Sequence, residues 1–179
     1  MTPNSLQELY VEELKDLYDA EQQIIKALPE MIAAATSQDL KQALSEHLEI
    51  TKLQSERLEQ ILAALGVKAK REKCKGMEGV IEEGSDLVGD IEDPDVRGAA
   101  IIAAAQRVEH YEMAGYGTVR TYATLLNDEQ ASQLLQDTLD EEKEADQRLT
   151  MLASAVNAHA GHGKAAAEEP IDQKGREAA

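Results

Sequence analysis

Six acidic or imidazole side chains fall on helical stripes that are otherwise apolar. They are Glu21, His47, Glu109, Glu112, Glu142 and Asp146. At 100° per residue the neighbouring Lys and Arg side chains point away from these stripes. Burying a carboxylate without a compensating charge costs several kcal/mol or forces its protonation. A bound cation, shared protons or a hydrogen-bond network would each resolve this conflict.

Carboxylate and imidazole groups are ligands of iron and manganese, and helical bundles hold such metals with side chains projected inward from each helix. The sequence therefore predicts a metal-binding core. The alternative is a polar core that fixes the register of the helices without any chemistry. Tyr111 and Tyr116 flank the predicted site. We expect both to pack in the core, with a hydrogen bond to a ligand as the other option.

Four long helices are predicted to position these side chains. Apolar periodicity indicates a first helix over about 5–36 and a second over about 38–65. A third helix opens at Asp93, which is followed by a proline at the first helical position, and a fourth begins after Asn127. The turns within each pair are short, so each pair is expected to form an antiparallel hairpin.

A long connection at 67–93 joins the two hairpins and carries a short amphipathic segment. Two hairpins joined by one crossover is the connectivity of ferritin-like four-helix bundles. The predicted fold class is therefore all-α, with a ferritin-like four-helix bundle over 1–158. Residues 159–179 lose the periodicity and are predicted to form a flexible tail.

The carboxylates of the second hairpin can be matched in pairs by counting how many residues each lies from the predicted turn. Glu112 lies about 15 residues before the turn near 127–128, and Glu142 lies about 15 residues after it. Glu109 and Asp146 are both about 18 to 19 residues from the turn. The four acids should therefore form two level pairs, one helical turn apart.

The first hairpin gives a looser alignment. Glu21 lies about 16 residues from the predicted turn near 37, level with Thr51 and Gln54. His47 lies about six residues nearer the turn, roughly 9 Å along the helix axis. His47 is therefore the weakest member of the predicted ligand set.

The charge balance limits the partners of this chain. Among 179 residues there are 18 Lys and Arg against 35 Asp and Glu, a net charge of −17. This excludes nucleic-acid binding through bulk charge, which needs a basic footprint. The N-terminal residues lack the pattern of a signal peptide, and no apolar run approaches the ~18 residues of a membrane span. We expect a cytoplasmic protein with no membrane partner.

A single cysteine, Cys74, excludes an internal disulfide framework. Its neighbours Lys73 and Lys75 would lower the pKa of the thiol. Because the chain has no second cysteine and no histidine near Cys74 in sequence, no catalytic role is predicted for this thiol.

Several stretches of the chain are shared with a known bacterial family. They are DAEQQ at 19–23, HLEIT at 47–51, RLEQ at 57–60, CKGMEG at 74–79, AAAQRVEHYE at 103–112, YGT at 116–118 and TLDEEK at 138–143. Together they resemble the YciE/YciF family over about residues 5–156. The resemblance implies a ferritin-like, rubrerythrin-related bundle that is usually dimeric and associated with stress responses.

The wider ferritin-like group implies two transition-metal ions, iron or manganese, held by one Glu on the first and third helices and Glu-x-x-His on the second and fourth. Glu21 and Glu112 match this pattern. Ala145 stands where the histidine of the fourth helix would be, and Thr51 and Gln54 replace the pair on the second helix. These departures leave three outcomes open, namely one metal ion, two weakly bound ions or none.

The sequence thus predicts a carboxylate-bridged metal-binding protein associated with stress. Any enzymatic activity would be of the di-metal oxidase or peroxidase type, with oxygen or peroxide as the substrate. The alternative is a non-enzymatic dimeric stress protein with a structural polar core and no functional metal. No residue is assigned a catalytic role, and the expected partners are metal ions and a second copy of the chain.

Overall fold

The computed structural model describes residues 3–70 and 72–162. Regular structure within these ranges is entirely helical. The helices are α1 at Leu6–Ala34, α2 at Gln38–Ala64, α3 at Lys75–Gly89, α4 at Pro94–Leu125 and α5 at Glu129–His162. The all-α prediction is confirmed, and α3 is the short amphipathic segment of the connection.

Capping side chains and two left-handed turn residues set the helix ends. Ser5 and Ser37 accept hydrogen bonds from backbone N–H groups at the starts of α1 and α2, and Asp93 does the same for α4. Gly66 follows α2 with φ of 71°, and Asn127 lies between α4 and α5 with φ of 60°. Both residue types tolerate the left-handed conformation that ends a helix.

The long helices pack mainly as two hairpins, α1 with α2 and α4 with α5. Further contacts join α1 to α4 and α2 to α5, while α3 packs on α4 and α1. The buried apolar side chains form two clusters. The first apolar cluster includes Tyr10, Leu14, Leu58, Val119 and Leu135. The second apolar cluster includes Ile24, Leu44, Ile101 and Leu149.

A polar layer separates the two apolar clusters. It consists of Glu21, His47, Glu109, Glu112 and Glu142. Each of the four long helices contributes to it as the chain passes from one cluster to the other; on α1, for example, Tyr18 belongs to the first cluster and Ile24 to the second. The helices therefore bring charged groups to the centre of the structure, where burial is most costly.

The C-terminal boundary differs from the prediction. Helix α5 continues to His162, beyond the predicted start of the tail at residue 159. The remainder of the predicted tail, 163–179, lies outside the described residues. In the described ranges, no helix combines the length and the apolar character that crossing a membrane requires.

Cys74 anchors the start of α3 against the bundle. Its Sγ lies 3.0 Å from Asp16 Oδ2 and 3.1 Å from the Tyr111 hydroxyl. Burial raises the pKa of this thiol, and the hydrogen bond with Asp16 raises it further. The lowered pKa expected from Lys73 and Lys75 was wrong because burial and a neighbouring carboxylate outweigh two exposed ammonium groups.

Candidate metal centre

Four side chains from three helices meet within the polar layer. They are His47 from α2, Glu109 and Glu112 from α4, and Glu142 from α5. One nitrogen or oxygen atom of each lies within 4.8 Å of the others. The exposed fractions of the four residues are 8%, 2%, 1% and 0%. Small side-chain movements would close this group around a cation with metal–ligand bonds of about 2 Å.

Glu21 on α1 is fully buried beside this group. The Tyr116 hydroxyl donates a hydrogen bond to Glu21 Oε1. This is the alternative that the sequence left open for Tyr116, and it fixes the orientation of the carboxylate. Tyr111 instead donates to Asp16, on the side of the crossover.

The polar layer contains many buried polar atoms without hydrogen-bond partners. Among the described residues these include both nitrogens of His47, both carboxylate oxygens of Glu112 and of Glu142, Oε2 of Glu21 and Oε2 of Glu109. His47 Nε2 lies 3.3 Å from Glu109 Oε1 but is not aligned for a hydrogen bond. Buried polar atoms without partners are rare in native interiors at this density, and a bound ion, a water molecule or a proton shared between carboxyl groups would each supply the partner.

Burial shifts the protonation of these groups in opposite directions. It raises the pKa of Glu109 to about 8, and it raises the pKa values of Glu21, Glu112 and Glu142 well above the ordinary range. The charges of neighbouring carboxylates add to the rise. Burial also lowers the pKa of His47 to about 4, so its imidazole is neutral at pH 7. Neutral imidazole is the form that binds a metal.

Thr51 and Gln54, which replace the second-helix pair of the ferritin-like pattern, do not join the group of four. The Thr51 hydroxyl donates to the backbone oxygen of His47 at 2.8 Å. Gln54 Nε2 donates to Glu141 Oε2 at 3.2 Å, and Arg57 holds the same carboxylate with bonds of 2.6 and 2.8 Å. The Arg57 guanidinium is therefore paired with Glu141 and not with a carboxylate of the polar layer. Sequence reasoning missed this pair, although Glu141 directly precedes Glu142.

Asp146 lies at the edge of the site, apart from the group of four. Its side chain is 22% exposed, and its Oδ1 accepts a hydrogen bond from Gln106 Nε2 at 3.0 Å. His110 Nε2 lies 3.3 Å from the same oxygen. The expected pairing of Glu109 with Asp146 is reduced to a charge interaction that raises the pKa of Glu109. Polar partners on the outer face of α4 hold the Asp146 carboxylate there.

Over the described residues, the fold and the site together define an all-α protein with a buried carboxylate–imidazole cluster. Its sequence matches the family described as "Domain of unknown function (DUF892)" over residues 5–161. The chain belongs to this family.

Relatives and solved structures agree with the sequence-based resemblance. Protein YciF of Escherichia coli K12 is 44% identical over 154 residues, which cover 86% of this chain and 93% of that protein. The crystal structure of the E. coli stress protein YciF matches with a TM-score of 0.84 at 42% identity, over 87% of this chain and 99% of that one. The resemblance to the YciE/YciF family is confirmed.

Two further solved structures share the fold. The protein YcfI of Rhodopseudomonas palustris matches with a TM-score of 0.80 at 44% identity, covering 82% of this chain and 94% of that chain. A protein of Xanthomonas campestris matches with a TM-score of 0.69 at 21% identity, over 86% and 94% of the two chains. At 21% identity the match to the Xanthomonas campestris protein supports only the shared fold.

Proposed function

We propose that this protein is a stress-related, ferritin-like metal-binding protein and that its polar layer binds iron or manganese. The observation that carries the proposal is the group of His47, Glu109, Glu112 and Glu142, whose ligand atoms lie within 4.8 Å of one another. They are buried, and the charges that act on the carboxylates are those of other carboxylates. A divalent cation would neutralise this repulsion and supply partners to the orphaned oxygens.

The donor set fits the proposed metals. One neutral imidazole with several carboxylates is a ligand set that suits Fe²⁺ and Mn²⁺. Glu21, oriented by Tyr116 and adjacent to Glu112, supplies oxygen atoms for a second ion, so the full proposal is two ions per chain. A bound iron or manganese ion would supply one-electron chemistry with oxygen or peroxide.

Protons are the competitors of the metal in this site. The raised pKa of Glu109 and of its buried neighbours means that the metal-free layer holds protons at pH 7. Each carboxylate must lose its proton to bind a metal, so binding releases protons and tightens as the pH rises. His47 needs no such loss because its imidazole is already neutral.

The surrounding architecture belongs to the same proposal. Contacts of α1 with α2 and α4, and of α5 with α4 and α2, support a ferritin-like four-helix bundle. A cytoplasmic location, a homodimeric state and the absence of nucleic-acid and membrane partners stay predictions from the sequence.

Anaerobic loading with Fe²⁺ tests the proposal. The chelator-treated protein should retain about one to two equivalents of iron per chain after desalting, and Glu112→Gln should lose at least half of this. Glu56→Gln is the matched control, since Glu56 is exposed on α2. Retention below about 0.2 equivalents by the unmodified protein, with no change in Glu112→Gln, would contradict metal binding.

A structural polar core is the second candidate. Glu21 lies within hydrogen-bonding reach of Glu112, and Glu109 within reach of Glu142, so shared protons would hold the layer together without a metal. This candidate predicts that a chelator leaves the thermal stability unchanged, which separates it from the metal-binding proposal.

A further inference from the structure

Two cavities of opposite character end at His47 and Glu109. The first, of about 40 Å³, lies beneath α3, and apart from His47, Glu109 and Ser85 its lining is apolar. The second, of about 290 Å³, lies between α2 and α5 and is lined by several charged side chains. The polar layer is thus reached by an apolar passage on one side and by a wider charged pocket on the other.

The charged pocket has an acidic wall. Glu46, Glu141, Glu144 and Arg148 line it together with His47 and Glu109. Glu46 and Glu144 are exposed at its outer part, while His47 and Glu109 are buried at its inner part. Arg148 pairs with Glu46 and Arg57 pairs with Glu141, so Glu144 leaves the mouth with a net negative charge that concentrates cations there.

His47 points to a ligand at the inner part of this pocket. The residue is 8% exposed, its ring lines the pocket, and neither ring nitrogen forms a hydrogen bond with a described residue. A cation that passes the outer acids would therefore meet the imidazole of His47 and the carboxyl group of Glu109. The apolar cavity offers no such path, because an ion entering it would lose its water shell without replacement ligands.

An ion pair spans the rim of the pocket. Arg148 of α5 binds Glu46 of α2, with both side chains partly exposed. The guanidinium places a positive charge beside the path of an incoming cation. Glu144, one turn of α5 before Arg148, places a negative charge on the same wall.

We propose that the charged pocket between α2 and α5 is the entrance through which a hydrated divalent cation reaches His47 and Glu109. Glu144 attracts the cation at the mouth, and Arg148, held by Glu46, slows its passage. The inference rests on the proposed metal-binding function and adds its route of loading and the groups that control the rate.

The rate of Co²⁺ binding, followed by stopped-flow absorbance of the chelator-treated protein, tests this route. At low ionic strength Glu144→Gln should bind Co²⁺ about threefold more slowly and Arg148→Gln about threefold faster than the unmodified protein. Glu56→Gln, an equally exposed change on α2 outside the pocket, should bind at the unmodified rate. At about 0.5 M salt the differences should shrink, because surface charges are screened.

A steric variant gives a second test. Ala145 lines the pocket, and Ala145→Leu would narrow it. Loading should slow by about tenfold while the amount of Co²⁺ bound at saturation stays within roughly twofold of the unmodified protein. Equal loading rates for the unmodified protein, both charge variants and Ala145→Leu would overturn the entrance while leaving metal binding intact. Failure of the unmodified protein to bind Co²⁺ would overturn both.

Discussion

Burial drives the two central side chains of the polar layer toward neutrality. Without a metal, Glu109 is protonated and His47 is unprotonated near pH 7, since their pKa values lie at about 8 and about 4. A neutral pair can be buried at far lower cost than a carboxylate and an imidazolium. The site can therefore fold without a metal and still offer ligands to one.

These shifts predict how the stability of the metal-free protein depends on pH. The raised pKa of Glu109 stabilises the fold at low pH, and this contribution is lost as the pH rises from about 4.5 to about 8. The lowered pKa of His47 stabilises the fold above 6.5, and this contribution is lost as the pH falls toward about 4. Below pH 6.5 the two oppose each other, and from 6.5 to 8 only the carboxyl groups with raised pKa values act, namely Glu109 and its buried neighbours.

The free energy of unfolding should therefore fall between pH 6.5 and 8, by roughly 1.4 kcal/mol per pH unit for each group that binds a proton only when folded. Urea titrations with a chelator present measure it. Glu109→Gln should make the fall shallower, because one of the protonated groups is lost, and Glu56→Gln should leave it as it is. A pH-independent free energy of unfolding in the unmodified protein over this range would contradict buried, protonated carboxylates.

At the scale of the elements, α3 is the helical part of the connection between the two hairpins, and it packs on α4 and α1 beside the polar layer. Cys74 and Tyr111 hold its first turn, and the buried Met77 packs into the second apolar cluster. Gly76 in that first turn leaves room for the Tyr111 ring. A Cβ at this position would lie 2.6 Å from the tyrosine hydroxyl oxygen and 2.7 Å from ring carbon Cε2.

Gly76→Ala should therefore destabilise the protein by about 1–3 kcal/mol, although alanine favours helices. Gly79→Ala on the same helix is the matched control, because a Cβ there meets nothing within 4 Å. The control should stabilise the protein by about 0.5–1 kcal/mol through helix propensity alone. Thermal denaturation of both variants measures the contrast. Equal shifts would show that α3 is not held against Tyr111.

At the scale of the whole molecule, the polar layer divides the apolar core into two clusters joined by four long helices. A metal ion that binds only the folded protein would join side chains of α1, α2, α4 and α5 in the polar layer and would stabilise the folded state. The repulsion that arises from the net charge of −17 is a separate effect, because this charge is spread over exposed faces and its repulsion weakens as the salt concentration rises.

Metal binding should consequently raise the Tm. At a free Mn²⁺ concentration about 100 times the Kd, the gain is about 2.7 kcal/mol, which corresponds to roughly 5–10 °C for a chain of this size. A chelator should reverse the shift, and the measurement should be made at about 0.5 M salt, where non-specific binding to surface acids is screened.

His47→Leu supplies the control for this experiment. It removes one ligand and no charge, because the imidazole is neutral at pH 7, so the metal-free Tm should stay close to that of the unmodified protein. The Mn²⁺-dependent shift should disappear. An equal Mn²⁺ shift in both proteins would place the bound ion elsewhere.

Local patterns in the sequence were sufficient for the helices and for most of the polar layer. Ser5, Ser37 and Asp93 cap the helices where such residue types satisfy free N–H groups. Glu21 and Glu112 could be assigned to the interior because helical periodicity alone decides which face a residue occupies. The family could also be identified from the sequence, because the stretches that the chain shares with it are short and continuous.

The tertiary structure decided which of the polar side chains meet. His47, predicted to be the weakest ligand because of its position along α2, joins the group of four, whereas Asp146 is held at the edge by Gln106. Tyr116 reaches Glu21, and Tyr111 turns toward the crossover. These outcomes depend on how far the packed helices are shifted and rotated against one another. Interlocking side chains of different helices set that stagger, and no periodicity within one helix contains it.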